Sequence, residues 1–190
     1  MGYACVIPLK LRFGFIAGDP CAIRSDPAGK VLVGELPADT FTLLVSPPGT
    51  YGVQWVGPAG GTGSQYAARR IKTVIGQATT IPPIELDPPA TVTGTLTDAA
   101  TKEPIRHGNA CASILPFTPG SGVAARCVNA DGVYTIDNLG PYDWPLLFGD
   151  VSGRWAWTWS GNATDRKGPA RCRRASAARR RPTWRWEPAA

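Results

Sequence analysis

Residues 110–136, which read ACASILPFTPGSGVAARCVNADGVYTI, contain the pattern that decides the fold of this chain. Within this stretch Cys111 and Cys127 are 16 positions apart, and Cys5 and Cys21 show the same separation. The two pairs lie 106 positions apart, so the spacing predicts one small module used twice, each copy closed by its own disulfide. Paired cysteines of this kind are typical of proteins from an oxidising compartment.

The composition favours an all-β class. The 190 residues include 22 Gly and 19 Pro, and no stretch shows the sustained periodicity of a long helix. We therefore predict two tandem small antiparallel β-sandwich domains, each with one intradomain disulfide. The first spans 1–88 and lacks its opening strand, whereas the second spans 89–167 and lacks its closing strands. Residues 168–190 are predicted to be a disordered basic tail.

Short β-prone runs separated by turn signals support this division. In the second copy residues 91–98 read TVTGTLTD and residues 133–136 read VYTI. Alternating patterns of this kind predict strands that are buried on one face. In the first copy we expect strands at 30–33, 40–46 and 77–86.

The second copy carries motifs that point to a known family. Residues 93–98 (TGTLTD), Pro104-Ile105, Ala110-Cys111 and 131–136 (DGVYTI) together resemble bacterial carboxypeptidase regulatory-like domains. Such domains are similar to prealbumin-like sandwiches and share the carbohydrate-binding-like fold group. The resemblance covers most of residues 4–165 and implies a spacer, a surface module or an accessory domain of a secreted protein. The zinc residues of the peptidase do not belong to this module, so the resemblance implies no catalytic residue here.

Charge is distributed unevenly along the chain. Of the 20 basic and 14 acidic residues, nine basic and one acidic lie from Arg166 onward, which leaves a body of 11 basic and 13 acidic residues. The body therefore predicts no general surface for polyanions. We interpret the arginine-rich tail, with its unpaired Cys172, as an out-of-frame reading of a GC-rich gene. The alternative is an arm that binds nucleic acid or a membrane.

Four tryptophans are the candidate ligand site. Trp155, Trp157 and Trp159 alternate and would share one face of a strand, and Trp55 occupies the position of Trp159 in the first copy. Such rings can stack on sugars, but we favour the interpretation that they fill the sandwich core or cap its edge, because the first copy has Tyr51, Val53 and Trp55 at the corresponding positions. Because a glycine follows closely after Trp55 and Trp159, as at a strand end, these two are the first tryptophans to test for exposure.

No pattern predicts catalysis or metal binding. His107 is the single histidine, which excludes a multi-histidine zinc site and makes a Ser-His-Asp triad improbable. Oxygen-bearing residues such as Asn129 and Asp131 lack the loop spacing of a calcium site and fit turns instead. We predict no enzyme activity and no cofactor.

The resulting functional prediction is a non-catalytic structural or interaction module of a secreted or cell-surface bacterial protein. Its export signal would lie outside this chain, it would be a monomer, and it would not insert into a membrane or bind nucleic acid. The main alternative is a carbohydrate-binding accessory domain of a secreted, α-amylase-like glycoside hydrolase, so the expected partners are polysaccharides or other surface proteins. A third alternative is peptide binding at the unpaired sheet edge of the first copy.

Overall fold

A computed structural model of the chain describes residues 3–10, 19, 21–106, 109–114, 125–161 and 183–186. The described residues form strands in several sheets, and their one helical segment is the 3-10 turn Gln65–Ala67. The predicted all-β class is confirmed. Among these residues no helix has the length and apolar character needed to cross a membrane.

The chain divides into two compact units. The first unit comprises Met1–Pro89 together with Asn138–Tyr142, and the second comprises Ala90–Asp137 together with Asp143–Ala190. The main division therefore falls between Pro89 and Ala90. A short segment from the later part of the sequence nevertheless groups with the first unit.

The first unit is built around one antiparallel sheet. Its strands are β1 (Cys5–Leu9), β2 (Thr40–Ser46), β3 (Gln54–Gly57), β4 (Gly60–Thr62) and β5 (Ile71–Lys72). The strands follow the order β1-β2-β3-β4, and β5 pairs with the beginning of β2. In this register Val6 lies opposite Val45, and Leu44 lies opposite Trp55.

Both faces of β2 are buried, because its sequence TFTLLVS is apolar at consecutive positions instead of alternating. One face contributes Leu43 and Val45 to a core cluster with Val6 and Val56. On the opposite face Leu44 is fully buried. This arrangement makes β2 the central strand of the unit.

The second unit contains two sheets. Its strands are β6 (Ala90–Asp98), β7 (Ala110–Ser113), β8 (Ala125–Cys127), β9 (Val133–Leu139, whose last two residues group with the first unit), β10 (Leu147–Asp150), β11 (Thr158–Trp159) and β12 (Thr183–Trp186). One sheet has the order β11-β10-β7-β8 and is antiparallel. The other has the order β12-β6-β9, with β12 parallel to β6.

Aromatic packing joins the two sheets of the second unit. Tyr134 of β9 and Phe148 of β10 are both buried, and their ring centroids are 5.5 Å apart. Leu96 of β6 and Ile136 of β9 are also buried. The result is a sandwich-like arrangement with an apolar interior.

Both predicted disulfides are present. Cys111 of β7 lies directly opposite Cys127 of β8, and the two are bonded. Cys5 of β1 is bonded to Cys21, which lies in a turn shortly before the bridge that Arg24 forms with Cys5. Each link therefore ties segments within one unit, as the repeated spacing predicted.

Several local predictions differ from the structure. Residues 30–33 and 77–86 are not strands, although Val31 and Val33 are half-buried against the core cluster. The sequence shows β-propensity, but a strand also requires a partner with free backbone groups. In the predicted tail, four residues form β12, and the remainder of 168–190, including Cys172, lies outside the described residues.

Candidate functional site: an exposed tryptophan on the second unit

Trp55 is not available to a ligand. It lies on β3 opposite Leu44 and Thr62, and it is fully buried. An indole ring with no exposed surface contributes to the core and cannot stack on a sugar. The core-packing alternative therefore holds for this residue.

Trp155 and Trp159 are also buried, each 8% exposed. The Trp155 indole nitrogen donates a hydrogen bond to Asp98 Oδ2 at 3.1 Å, and the Arg154 guanidinium lies 5.0 Å from the centre of its ring. Trp159 lies on β11 opposite Leu147. Trp159 therefore packs in the second unit and, like Trp55, is not an exposed ring at a strand end.

Trp157 is the one candidate ring that is well exposed, at 47%. Phe148 pairs with Thr158, so continuing the antiparallel register by one residue places Trp157 opposite Gly149. A Cβ atom added to Gly149 would lie 2.9 Å from Cε3 of the Trp157 indole. The ring therefore lies against the backbone of β10, in space that only glycine leaves open.

The Cys111–Cys127 disulfide lies on the same face of this sheet. Gly149 pairs with Cys111 on its other side, and Cys111 pairs with Cys127. Directly paired residues of neighbouring strands project to the same face. Trp157, Gly149 and the disulfide consequently form one row across the sheet, which we call the Trp157 row.

Two acidic residues of the second unit, Asp98 and Asp150, accept hydrogen bonds from backbone amides. Asp98 Oδ1 accepts hydrogen bonds from the amides of Ala100 and Thr101, at 2.8 and 3.0 Å. These bonds and the one from Trp155 stabilise the carboxylate and lower the pKa of Asp98. Asp98 is therefore a turn cap, not a candidate acid or base.

Asp150 has a similar role at the end of β10. Its burial opposes ionisation, but hydrogen bonds from the Ser152 hydroxyl and from the amides of Ser152, Arg154 and Trp155 together outweigh this effect and lower the pKa of Asp150. The contacts to Ser152 Oγ and to the Arg154 amide measure 2.5 and 2.9 Å. The carboxylate thereby fixes the turn that leads to Trp155 and Trp157.

Turn geometry also accounts for the residues considered for calcium. Asn129 Oδ1 accepts hydrogen bonds from the amides of Asp131 and Val133, and Asp26 Oδ1 accepts one from the Lys30 amide. Within the described residues no three His, Cys, Asp or Glu side chains converge as a metal site would require. His107 lies outside the described residues.

Tyr142 belongs to the first unit, where its hydroxyl donates to the carboxylate of Asp87 and lies 3.3 Å from Gln54 Oε1. Partial burial and the neighbouring Asp87 carboxylate raise the pKa of Tyr142. The Tyr142 hydroxyl also packs directly against Gly61. A Cβ atom at that position would overlap the hydroxyl. Tyr142 thus makes a structural contact within the first unit.

Sequence reasoning did not identify Gly149 as part of the site. A single glycine in a short apolar run does not indicate which aromatic ring will pack against it. Comparison with known proteins adds no homologue, since no family model, curated protein or solved structure matches this chain. The Trp157 row is therefore the candidate ligand surface because Trp157 is exposed and its ring lies against Gly149.

Proposed function

We propose that this chain is a non-catalytic structural or interaction module of a secreted or cell-surface bacterial protein. The observation that carries the proposal is the disulfide within each unit, each linking residues 16 positions apart. Disulfides persist in oxidising compartments, and they are frequent in small secreted domains with limited cores. The family resemblance to carboxypeptidase regulatory-like domains supports the same role, because both units are all-β.

A mechanical role follows from where the links lie. When a unit is pulled, the residues between Cys5 and Cys21, and between Cys111 and Cys127, cannot extend while the sulfurs remain bonded. Sixteen residues span roughly 5 nm when fully extended, so each bridge withholds about this length from the unfolded chain. A spacer with such bridges therefore extends less under load than the same units without them, by about this length for each bridge.

Single-molecule force spectroscopy tests this role. With oxidised protein, we expect each unit to resist extension, and the total unfolded length should increase by roughly 10 nm after treatment with a dithiol. The double variant Cys111→Ala/Cys127→Ala should show about half of that increase without any reductant. Equal lengths before and after reduction, or no resistance to extension in the oxidised protein, would contradict the spacer function.

Carbohydrate binding is the second candidate, and the exposure of Trp157 specifically favours it. Sugar rings present flat apolar faces that stack on indole rings, and Trp157 offers a ring held in place against Gly149. This role suits an accessory domain of a secreted, α-amylase-like glycoside hydrolase. The candidate sugar site then consists of Trp157 alone, instead of the four tryptophans considered from the sequence.

Affinity electrophoresis in gels containing soluble starch, chitin or cellulose derivatives tests the second candidate. We expect one polysaccharide to retard the wild type, and Trp157→Ala to abolish the retardation. Tyr66→Ala is the matched control, because Tyr66 is also an exposed aromatic residue but lies in the first unit. No retardation by any of the glycans, or retardation that survives Trp157→Ala, would exclude sugar binding at this ring.

A further inference from the structure

A cavity of about 290 Å³ lies in the first unit. Its walls include Val56, Pro58, Arg69, Ile81, Ile84 and Glu85. The volume is at the small end of the range for sites that bind small molecules. The lining residues combine apolar side chains with one basic residue, Arg69, and one acidic residue, the exposed Glu85.

The Arg69 side chain is held in place at the cavity wall. Its Nε donates to the carbonyl of Gly57 at 3.4 Å and its Nη2 to the carbonyl of Pro58 at 2.7 Å. Its backbone amide donates to the carbonyl of Val56 at 2.7 Å. A guanidinium has five N–H donors, so most of them remain available after these side-chain bonds. Among the described residues Arg69 forms no ion pair.

The β3–β4 turn provides those carbonyls through its own geometry. Gly57 pairs with Gly60 across the two-residue connection Pro58-Ala59, and Gly60 has a positive φ of 103°. A Cβ on Gly57 would lie 2.7 Å from the Gly60 carbonyl oxygen, so the close turn depends on glycine. In this turn the carbonyls of Gly57 and Pro58 point towards the Arg69 side chain and accept its hydrogen bonds.

The backbone that carries Glu85 is held beside the same cavity by a separate anchor. The fully buried side chain of Gln54 donates from Nε2 to the Glu85 carbonyl at 2.8 Å, and its Oε1 accepts from the Asp87 amide at 3.0 Å. Nearby, Ile81 and Ile84 pack against the core cluster that contains Val56. The backbone of this segment is therefore fixed although it is not a strand.

The two charged residues line one cavity and do not pair with each other. Opposite charges that line one cavity and remain apart can be bridged by a ligand that carries both signs. A guanidinium recognises a carboxylate with two parallel hydrogen bonds, whereas a carboxylate accepts hydrogen bonds from an ammonium group. The isoleucine side chains leave an apolar wall for the remainder of such a ligand.

We propose that this cavity binds a small zwitterion, namely a free α-amino acid with an aliphatic side chain. Arg69 pairs with the ligand carboxylate, Glu85 pairs with its ammonium group, and Ile81 and Ile84 contact its side chain. This binding site is independent of both the spacer role and sugar binding at Trp157.

Isothermal titration calorimetry on the full oxidised chain tests the site with L-leucine as the probe. Two analogues separate the charge contributions: leucinamide lacks the carboxylate, and 4-methylpentanoate lacks the ammonium group. We expect saturable binding of leucine, and each analogue should bind about tenfold more weakly or worse, because each leaves one charged wall residue unpaired.

Variants assign the binding to this cavity. Arg69→Gln and Glu85→Gln should each weaken leucine binding about tenfold or more, whereas Arg70→Gln should leave it unchanged. Arg70 is a matched control because it is the neighbouring exposed arginine and does not line the cavity. Should Arg69→Gln loosen the β3–β4 turn, as seen by circular dichroism, Glu85→Gln and the analogue series still decide the result.

Three outcomes would overturn the proposal. The first is no saturable leucine binding by the wild type. The second is 4-methylpentanoate binding as tightly as leucine, which would show that Glu85 recognises nothing. The third is leucine binding that Glu85→Gln leaves unchanged, which would place the ligand elsewhere.

Discussion

Trp157 and Trp159 are identical side chains two positions apart, yet the residue opposite each one gives them different environments. Trp159 faces Leu147 and is buried, whereas Trp157 faces Gly149 and keeps almost half of its surface exposed. Two identical side chains of one short segment thus differ in exposure, and the absence of a side chain at Gly149 leaves the space that the Trp157 ring occupies.

Alanine substitution at these two positions should separate their roles. Trp159→Ala should lower the free energy of unfolding by about 3–5 kcal/mol, because it leaves a large cavity in a packed region. Trp157→Ala should lower it by about 1 kcal/mol or less, as expected of a partly exposed side chain. Urea unfolding followed by circular dichroism measures both. Equal losses would mean that Trp157 is a packing residue, and the candidate sugar site would then lose its basis.

Asp150 makes the stability of the second unit dependent on pH. Because hydrogen bonds lower its pKa in the folded state, its contribution is complete above the unfolded value of about 4 and is lost as the pH falls through the lower folded value. Asp150→Asn should therefore destabilise the protein at neutral pH, and the difference from the wild type should shrink in acid. Urea titrations at several pH values provide the measurement.

Asp131→Asn is the control for this prediction. Asp131 is exposed, and its side chain forms no hydrogen bond among the described residues. This substitution should change stability little at any pH. A loss for Asp150→Asn that is the same at neutral and acidic pH would contradict the role assigned to the Asp150 carboxylate.

At the scale of elements, β8 depends on its disulfide. It has only three residues, lies at one edge of its sheet and pairs with a single strand, β7. Such a short edge strand has few backbone hydrogen bonds to keep it in place. The Cys111–Cys127 bond joins its last residue directly to β7.

Removal of this bond should free the β8 edge. We expect Cys111→Ala/Cys127→Ala to lower the free energy of unfolding by about 3 kcal/mol, since the closed loop is short. The amide of Val128, which donates to the Ala110 carbonyl at 2.9 Å, should exchange with solvent faster. Hydrogen exchange followed by NMR detects this change. Cys5→Ala/Cys21→Ala should leave the Val128 amide protected, and faster exchange in both variants would contradict a local role.

A predicted strand is present in the structure where a β-prone sequence also has a neighbouring strand with which to pair. The run at 91–98 corresponds to β6 (Ala90–Asp98), and the run at 133–136 lies within β9. Residues 30–33 have comparable β-propensity but no ladder, because propensity describes a residue's fit to a sheet and not the presence of a neighbouring strand. Their valines pack against the core without joining the sheet.

At the scale of the whole chain, four of the five cysteines are used in two bonds. Intact mass measured without reductant should therefore be lower by four hydrogen atoms than after reduction. Alkylation of the unfolded, unreduced chain should modify Cys172 alone. Peptide mapping that finds a link between the two units, or additional alkylated cysteines, would contradict the repeated module and the extracellular setting proposed for it.

The sequence by itself determined the β class, the sulfur pairing and the presence of two modules. Cysteine spacing and turn chemistry are local properties of the sequence, so they can be identified before the packing is known. Only the tertiary structure decided the sites. Tyr51 lies four positions before Trp55, as Trp155 lies four positions before Trp159, yet Tyr51 is exposed and Trp155 is buried. Exposure depends on what lies across the sheet: Gly149 leaves space for Trp157, and Gln54 and the carbonyls of the β3–β4 turn bring Glu85 and Arg69 to one cavity. Those neighbours are distant in sequence, so no local pattern encodes them.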